Sequence, residues 1–198
     1  MLDPSSQSRR APLAEHRGDF YDTPSVAVQA LLRIERERLL SSIRIWEPAC
    51  GTGNIVTELR AAGYEVIASD LNNRGCYDGH FGIDFLLPGF DPHADAIITN
   101  PPFALAEEFV ATALERAPLV IMLLRLAFYE SERREHLFNG SRMPLARIHA
   151  FAKRLPMMNR AGWTGRHANS GMAFAWFTWD SMHRGPTTID RIRWEPPT

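Results

Sequence analysis

Strand-sized apolar runs alternate with helical stretches along this chain, and nearly every run ends on a polar or acidic residue. Ile43 to Glu47, Tyr64 to Ser69 with Asp70, His80 to Ile83, Ala94 to Thr99 and Leu119 to Leu124 read as strands. Between them, Asn54 to about Ala62 and Leu105 to Arg116 read as helices, with Gly63 as the stop after the first. Leu119 to Leu124 is apolar without a break, as expected of a strand covered on both faces. Such alternation predicts an α/β fold with a doubly wound, mostly parallel sheet. In that architecture a ligand lies at the carboxyl ends of the strands, where the unusual residues of this chain gather.

The flanks are read in the same way. Residues 1–18 are rich in Ser, Arg and Pro and suggest a mobile tail. Residues 19–198 then form a single domain. Thr23-Pro24 opens a helix, with Thr23 as the cap and Pro24 as the first helical residue. Val28, Leu31, Leu32 and Leu39 give it an apolar side, and Arg33, Glu35, Arg36, Glu37 and Arg38 stay in water. A helix over Glu130 to Phe138 precedes a late strand pair, Arg147 to Ala152 and Met172 to Trp179, and Ile189 to Trp194 is a last short strand. Trp46, Trp176 and Trp179 fall within strands and belong to the core.

Two cysteines, Cys50 and Cys76, are too few for a disulfide framework and lack metal-site spacing, which fits a reducing cytoplasm. The first ten residues hold no apolar stretch of the signal-peptide kind, and no run is long enough to span a membrane. The net charge of −1 hides an asymmetry. Between Glu135 and Asp180 there is no acid, while Arg142, Arg147, Lys153, Arg154, Arg160 and Arg166 all fall there. That distribution points to a polyanion. The competing reading is a solvated face balanced by acids from elsewhere in space. The long segment 155–171 within it is a candidate basic substrate loop.

Glu47-Pro48-Ala49-Cys50-Gly51-Thr52-Gly53-Asn54 joins a strand to a helix, and its glycines let the backbone approach a ligand. No Lys follows, so it is not a Walker A loop, and no third glycine completes a dinucleotide fingerprint. Glu47 would repel a pyrophosphate and favour a cation. Asp70, at the end of the next strand, suits ribose hydroxyls. The ligand therefore reads as a nucleoside without phosphates. Asp84 could take an adenine amino group, and the Phe85 ring could cover the base. Asn100-Pro101-Pro102-Phe103 follows another strand end. The prolines stiffen it and remove backbone donors, leaving carbonyls and the Asn100 amide to accept hydrogen bonds from an amino group.

With these motifs in this order, the chain resembles the class I S-adenosylmethionine-dependent methyltransferases, in particular the amino-methylating branch that makes N6-methyladenine. The resemblance runs from about Phe20 to Asp180. It includes Phe20-Tyr21-Asp22-Thr23-Pro24 as the cofactor motif ahead of the Gly-rich turn, and it is similar to the compact enzymes of phages and prophages. It implies a Rossmann-like seven-stranded methyltransferase sheet, mostly parallel with an antiparallel late strand and helices on both faces. It implies S-adenosyl-L-methionine as cofactor and no metal. Glu47, Pro48, Ala49, Gly51, Gly53 and Asn54 would line the methionine part, Tyr21 and Thr23 its carboxylate end. Asp70 and Leu71 would meet the ribose and adenine, and Asp84 and Phe85 the adenine. Asn100, Pro101, Pro102 and Phe103 would be catalytic: the amide and the Pro101 carbonyl accept from the target amino group, and Phe103 stacks on the flipped base.

The implied partner is nucleic acid, DNA favoured and RNA possible, held by Lys153, Arg154, Arg160, Trp163 and Arg166. Arg125 would face a phosphate or pair with Glu130. A side-chain amide is also a planar NH2 group, so a glutamine-amide methyltransferase acting on protein is the nearest rival. A non-catalytic nucleic-acid-binding module is the rival from another class.

Overall fold

The computed structural model describes residues 21–40, 44–157 and 171–194. The tail expected over 1–18 lies outside these residues, as does most of the proposed basic loop, including Arg160, Trp163 and Arg166.

Eight strands form one sheet. They are β1 (Arg44–Glu47), β2 (Glu65–Asp70), β3 (His80–Phe81), β4 (Ala96–Thr99), β5 (Leu119–Arg125), β6 (Leu145–Phe151), β7 (Phe174–Asp180) and β8 (Thr188–Ile192). Their order is β3-β2-β1-β4-β5-β7-β6-β8. All neighbours from β3 to β5 pair in parallel, β7 runs antiparallel to β5 and β6, and β8 is parallel to β6. The mostly parallel sheet with one reversed late strand agrees with the expectation. The strand count of seven becomes eight, because Thr188–Ile192 pairs with β6 as a full edge strand.

The helices are α1 (Ser25–Ile34), α2 (Arg36–Leu39), α3 (Asn54–Ala61), α4 (Ala106–Arg116) and α5 (Glu135–Phe138). Strand side chains alternate between the two faces, and each face has its own core. Leu119, Ile121 and Leu123 of β5 pack with Val28 and Leu31 of α1 and Ile55 and Leu59 of α3. Val120, Met122 and Leu124 pack on the other face with Phe109 and Val110 of α4 and Leu137 of α5. Trp46, Trp176 and Trp179 are fully buried, as their place in strands predicted.

Three local readings are corrected. Pro24, not Thr23, stands at the cap position of α1. The first helix breaks at Glu35, which is buried rather than in water. The helix expected over Glu130 to Phe138 is a short 3-10 turn, Glu132–Arg134, followed by one α-helical turn, α5.

The break at Glu35 has a cause in the sheet. Its Oε1 accepts from Arg147 Nε at 2.7 Å and Thr178 Oγ1 at 3.0 Å and lies 2.9 Å from His149 Nε2. Asp180 takes Arg38 through two bonds of 2.7 and 2.9 Å. Two acids from outside the acid-free segment or at its border thus neutralise Arg147 in the interior. For that residue the compensated-charge reading is the correct one.

Candidate active site

The switch between β1 and β4 opens a cavity of about 380 Å³ at the carboxyl ends of β1, β2 and β4. That volume lies in the usual range for small-molecule sites. Its walls include Tyr21, Thr23, Pro48, Ala49, Gly51, Asn54, Asp70, Leu71, Asp84, Phe85 and all of Asn100 to Phe103. The expected cofactor and catalytic residues therefore converge, with two exceptions. Glu47 and Gly53 do not line the cavity. Each lies behind the turn and shapes it.

Gly53 holds φ +93, and a Cβ there would come within 3.0 Å of Cys76 Sγ. Only glycine meets both conditions. Glu47 is fully buried. Its Oε1 accepts the Ala49 N–H at 3.0 Å and the Thr99 hydroxyl at 2.6 Å, while Oε2 is buried without a partner. Burial pushes its carboxyl up to about 8 against those two donors, and the neighbouring Asp70 adds to the rise.

Asp70 stays at the end of β2 because its carboxylate closes the turn on both sides. Oδ2 accepts the Gly51 N–H at 2.9 Å and Oδ1 the Asn72 N–H at 2.8 Å. It is buried, yet it borders the cavity. Asp84 accepts the Leu86 N–H at 2.9 Å. Phe85 is buried at the edge of the cavity. It packs 4.9 Å from Phe109 and edge-on to Trp46 at 5.1 Å.

The segment 21–23 is tied to both functional loops. Asn100 Nδ2 donates to the Tyr21 carbonyl at 3.1 Å. Thr52 Oγ1 donates to Asp22 at 2.6 Å, and Asn54 Nδ2 donates to the Thr23 carbonyl at 3.1 Å. Because a carbonyl can only accept, the Asn100 NH2 must face Tyr21, which fixes the amide orientation. Its Oδ1 is left buried and without a partner at the cavity wall.

Phe103 is more crowded than expected. Tyr21 stacks on its ring at 5.1 Å and 24°, Phe174 lies at 5.5 Å, and the Arg125 guanidinium carbon sits 4.5 Å from its centroid. Arg125 therefore does not pair with Glu130. Lys153 lies 4.5 Å over the Trp194 ring and Arg154 is exposed, and neither borders the cavity. Leu155 and Met157, at the start of the proposed loop, are buried in the core beneath α1 and α3. Sequence reasoning missed Asp22, Thr52, Thr99 and the interior role of Glu35. Polar residues flanking the Gly-rich turn and ending a strand were the available signal for the first three.

Among the described residues no cluster of His, Cys, Asp and Glu could hold a metal ion, and no helix is long and apolar enough to cross a membrane. Burial pushes both the Cys50 and the Cys76 thiols upward, so neither is poised as a nucleophile.

No protein-family model matches the chain, and no curated protein matches it at a significant level. Solved structures do. A candidate RNA methyltransferase from Pyrococcus horikoshii superposes with a TM-score of 0.63 at 17% identity, over 81% of this chain and 86% of that one. A candidate class I S-adenosylmethionine-dependent methyltransferase from Listeria monocytogenes gives 0.63 at 14% identity, over 85% and 65%. A modification subunit of a candidate type I restriction enzyme from Vibrio vulnificus gives 0.58 at 15% identity, over 88% of this chain but 46% of that one. The chain has the class I methyltransferase fold.

Proposed function

We propose that the protein is an S-adenosylmethionine-dependent methyltransferase that methylates the exocyclic N6 amino group of adenine in nucleic acid, DNA favoured over RNA. The observation that carries this reading is the Asn100 amide: locked by Tyr21, with a buried acceptor left over at the cavity wall. A buried carbonyl without a donor costs about 1–3 kcal/mol, and an amino group reaching it removes that cost. Two neighbours, a candidate RNA methyltransferase and a modification subunit of a candidate type I restriction enzyme, support a nucleic-acid target. Residues 19–198 as one methyltransferase domain, working in the cytoplasm, belong to the same proposal.

The residues fit the cofactor. The cavity is large enough, the Gly51 backbone borders it, and Asp70 lines it with the Glu47 carboxyl buried behind the turn and no Lys in its walls. When bound, the cofactor supplies a methyl group on a positively charged sulfur. Asp70 and Leu71 would hold its ribose and adenine, the 48–54 turn its methionine part, and Tyr21 and Thr23 its carboxylate end.

The chain's own work is on the nitrogen. An adenine amino lone pair is delocalised into the ring. Asn100 Oδ1 and the Pro101 carbonyl would accept its two hydrogens, returning electron density to nitrogen and fixing its direction. Positioning of this kind is worth up to about 7–11 kcal/mol. The two prolines keep the acceptors still.

The test is transfer of labelled methyl from the cofactor to DNA, RNA and protein, followed by nucleoside analysis. Label in N6-methyladenine supports the reading. Label in glutamine amides, or calorimetry showing no cofactor binding, would replace it with one of the rivals. The Asn100→Ala variant should bind cofactor and transfer nothing.

A further inference from the structure

On the far side of Phe103 lies a second cavity of about 220 Å³, bordered by Phe103, Ala106, Leu124, Arg125, Ala127, Phe128 and Arg134. Phe103 is the wall it shares with the larger cavity. Tyr21 borders only the larger one and Arg125 only the smaller. Two guanidinium groups and no acid line this space.

The two arginines differ. Arg134 is partly satisfied: Nε donates to the Phe128 carbonyl at 2.9 Å and Nη2 to the Ala127 carbonyl at 3.3 Å. Arg125 follows the last fully buried residue of β5 and stacks over Phe103. Its Nε is buried and without a hydrogen-bond partner. Unpaired buried donors are rare in folded proteins, and one on a fixed cation is costly. Two guanidinium groups bordering one hollow without carboxylates match a phosphate oxyanion.

We propose that this cavity binds a phosphodiester of the substrate strand next to the target nucleotide, with Arg125 as the principal donor and Arg134 as the second. The proposal rests on the nucleic-acid reading above and locates the strand relative to the acceptor corner. In the free protein the Arg125 guanidinium rests on the Phe103 ring, and a phosphate in the hollow would supply the partner that its Nε lacks. No bond is made or broken in this step.

The test uses the full chain. The Arg125 Nε–H resonance, assigned by its loss in Arg125→Lys, is followed while an adenine-containing oligonucleotide or inorganic phosphate is added. A shift on oligonucleotide addition is expected. Separately, binding to duplex DNA is measured over a salt series for the wild type, Arg125→Gln and Arg134→Gln. Each lost contact should flatten the slope of log affinity against log salt by roughly 0.9.

An unmoved resonance with unaltered slopes in both variants would overturn the proposal, even where methyl transfer to adenine is found. A resonance moved by inorganic phosphate but not by oligonucleotide would assign the hollow to a small phosphorylated molecule and overturn the strand assignment. A shifted resonance with flattened slopes, but no methyl on any nucleic acid, would keep the phosphate site and remove the enzyme. The wild-type resonance stays decisive where a variant fails to fold.

Discussion

Asn100 can place its amide in only one way. The Tyr21 carbonyl claims the NH2, so the oxygen is left as a buried acceptor without a partner, on a residue that borders the cavity. Asn100→Asp tests the lock as well as the acceptor, because a carboxylate cannot donate to a carbonyl. Steady-state transfer should fall on the order of 10²–10³-fold, the scale for removing one preorganised hydrogen-bonding group. Glu47 makes a second prediction at this scale. Its folded pKa, about 8, is raised above the ordinary 4.5, so its contribution to stability is complete below 4.5 and is lost as pH rises through about 8. Glu47→Gln removes the titration. The variant's thermal midpoint should gain on the wild type across that window, and parallel curves would show that the group does not ionise there.

At the scale of elements, α1 carries the strap of residues 21–23 on one end and the Glu35 cluster on the other. Between them lies about 15 Å of helix, at 1.5 Å per residue. Trp176 Nε1 donates to the Ala27 carbonyl at 3.0 Å near its start. The sheet thus grips the helix at both ends and sets where Tyr21 meets Asn100. Burial works against ionising Glu35, but its bonds to His149 and Arg147 outweigh that and hold the carboxyl below its ordinary value. For Asp180 the Arg38 fork does the same against burial. Groups depressed in this way stabilise the fold above their unfolded values of 4.5 and 3.8, and the benefit is lost as pH falls through the lower folded ones. Glu35→Ala strands Arg147 and His149 inside. Urea unfolding at neutral pH should show a loss of about 3–5 kcal/mol. A loss below about 1 kcal/mol would mean the site relaxes around the cations.

At the scale of the molecule, the cavity is made by segments far apart in sequence, and a ligand that fills it joins them. Cofactor at about 100 times its dissociation constant should add roughly 2.7 kcal/mol to stability, read as a rise in thermal midpoint. Ordinary salts of similar ionic strength should not produce that rise. The charge asymmetry also looks different in three dimensions. Arg147 is paired with Glu35 and Asp180, so the cations left for a strand on this reading are Arg154, Arg160 and Arg166, together with Arg142, Lys153 on the Trp194 ring and the pair at the second cavity. Neutralising the first three together should flatten the salt slope of duplex binding by up to about 0.9 per contact.

The alternation of apolar runs and helices determined the order of elements, the parallel sheet and the end of it that holds the cavity. These follow from local periodicity and from the chain's need to cover both faces of a buried strand. The motif residues at the strand ends were legible for the same reason, since each follows its strand directly. Pairings across the fold were not. Glu35 looked solvated because its neighbours in sequence are charged, and only the late strands bring Arg147, His149 and Thr178 against it. Arg125 was legible as a strand-end cation but not as a lid on Phe103. Which side of a glutamate meets water, and which ring an arginine covers, is decided by packing between distant segments, and no local pattern encodes that.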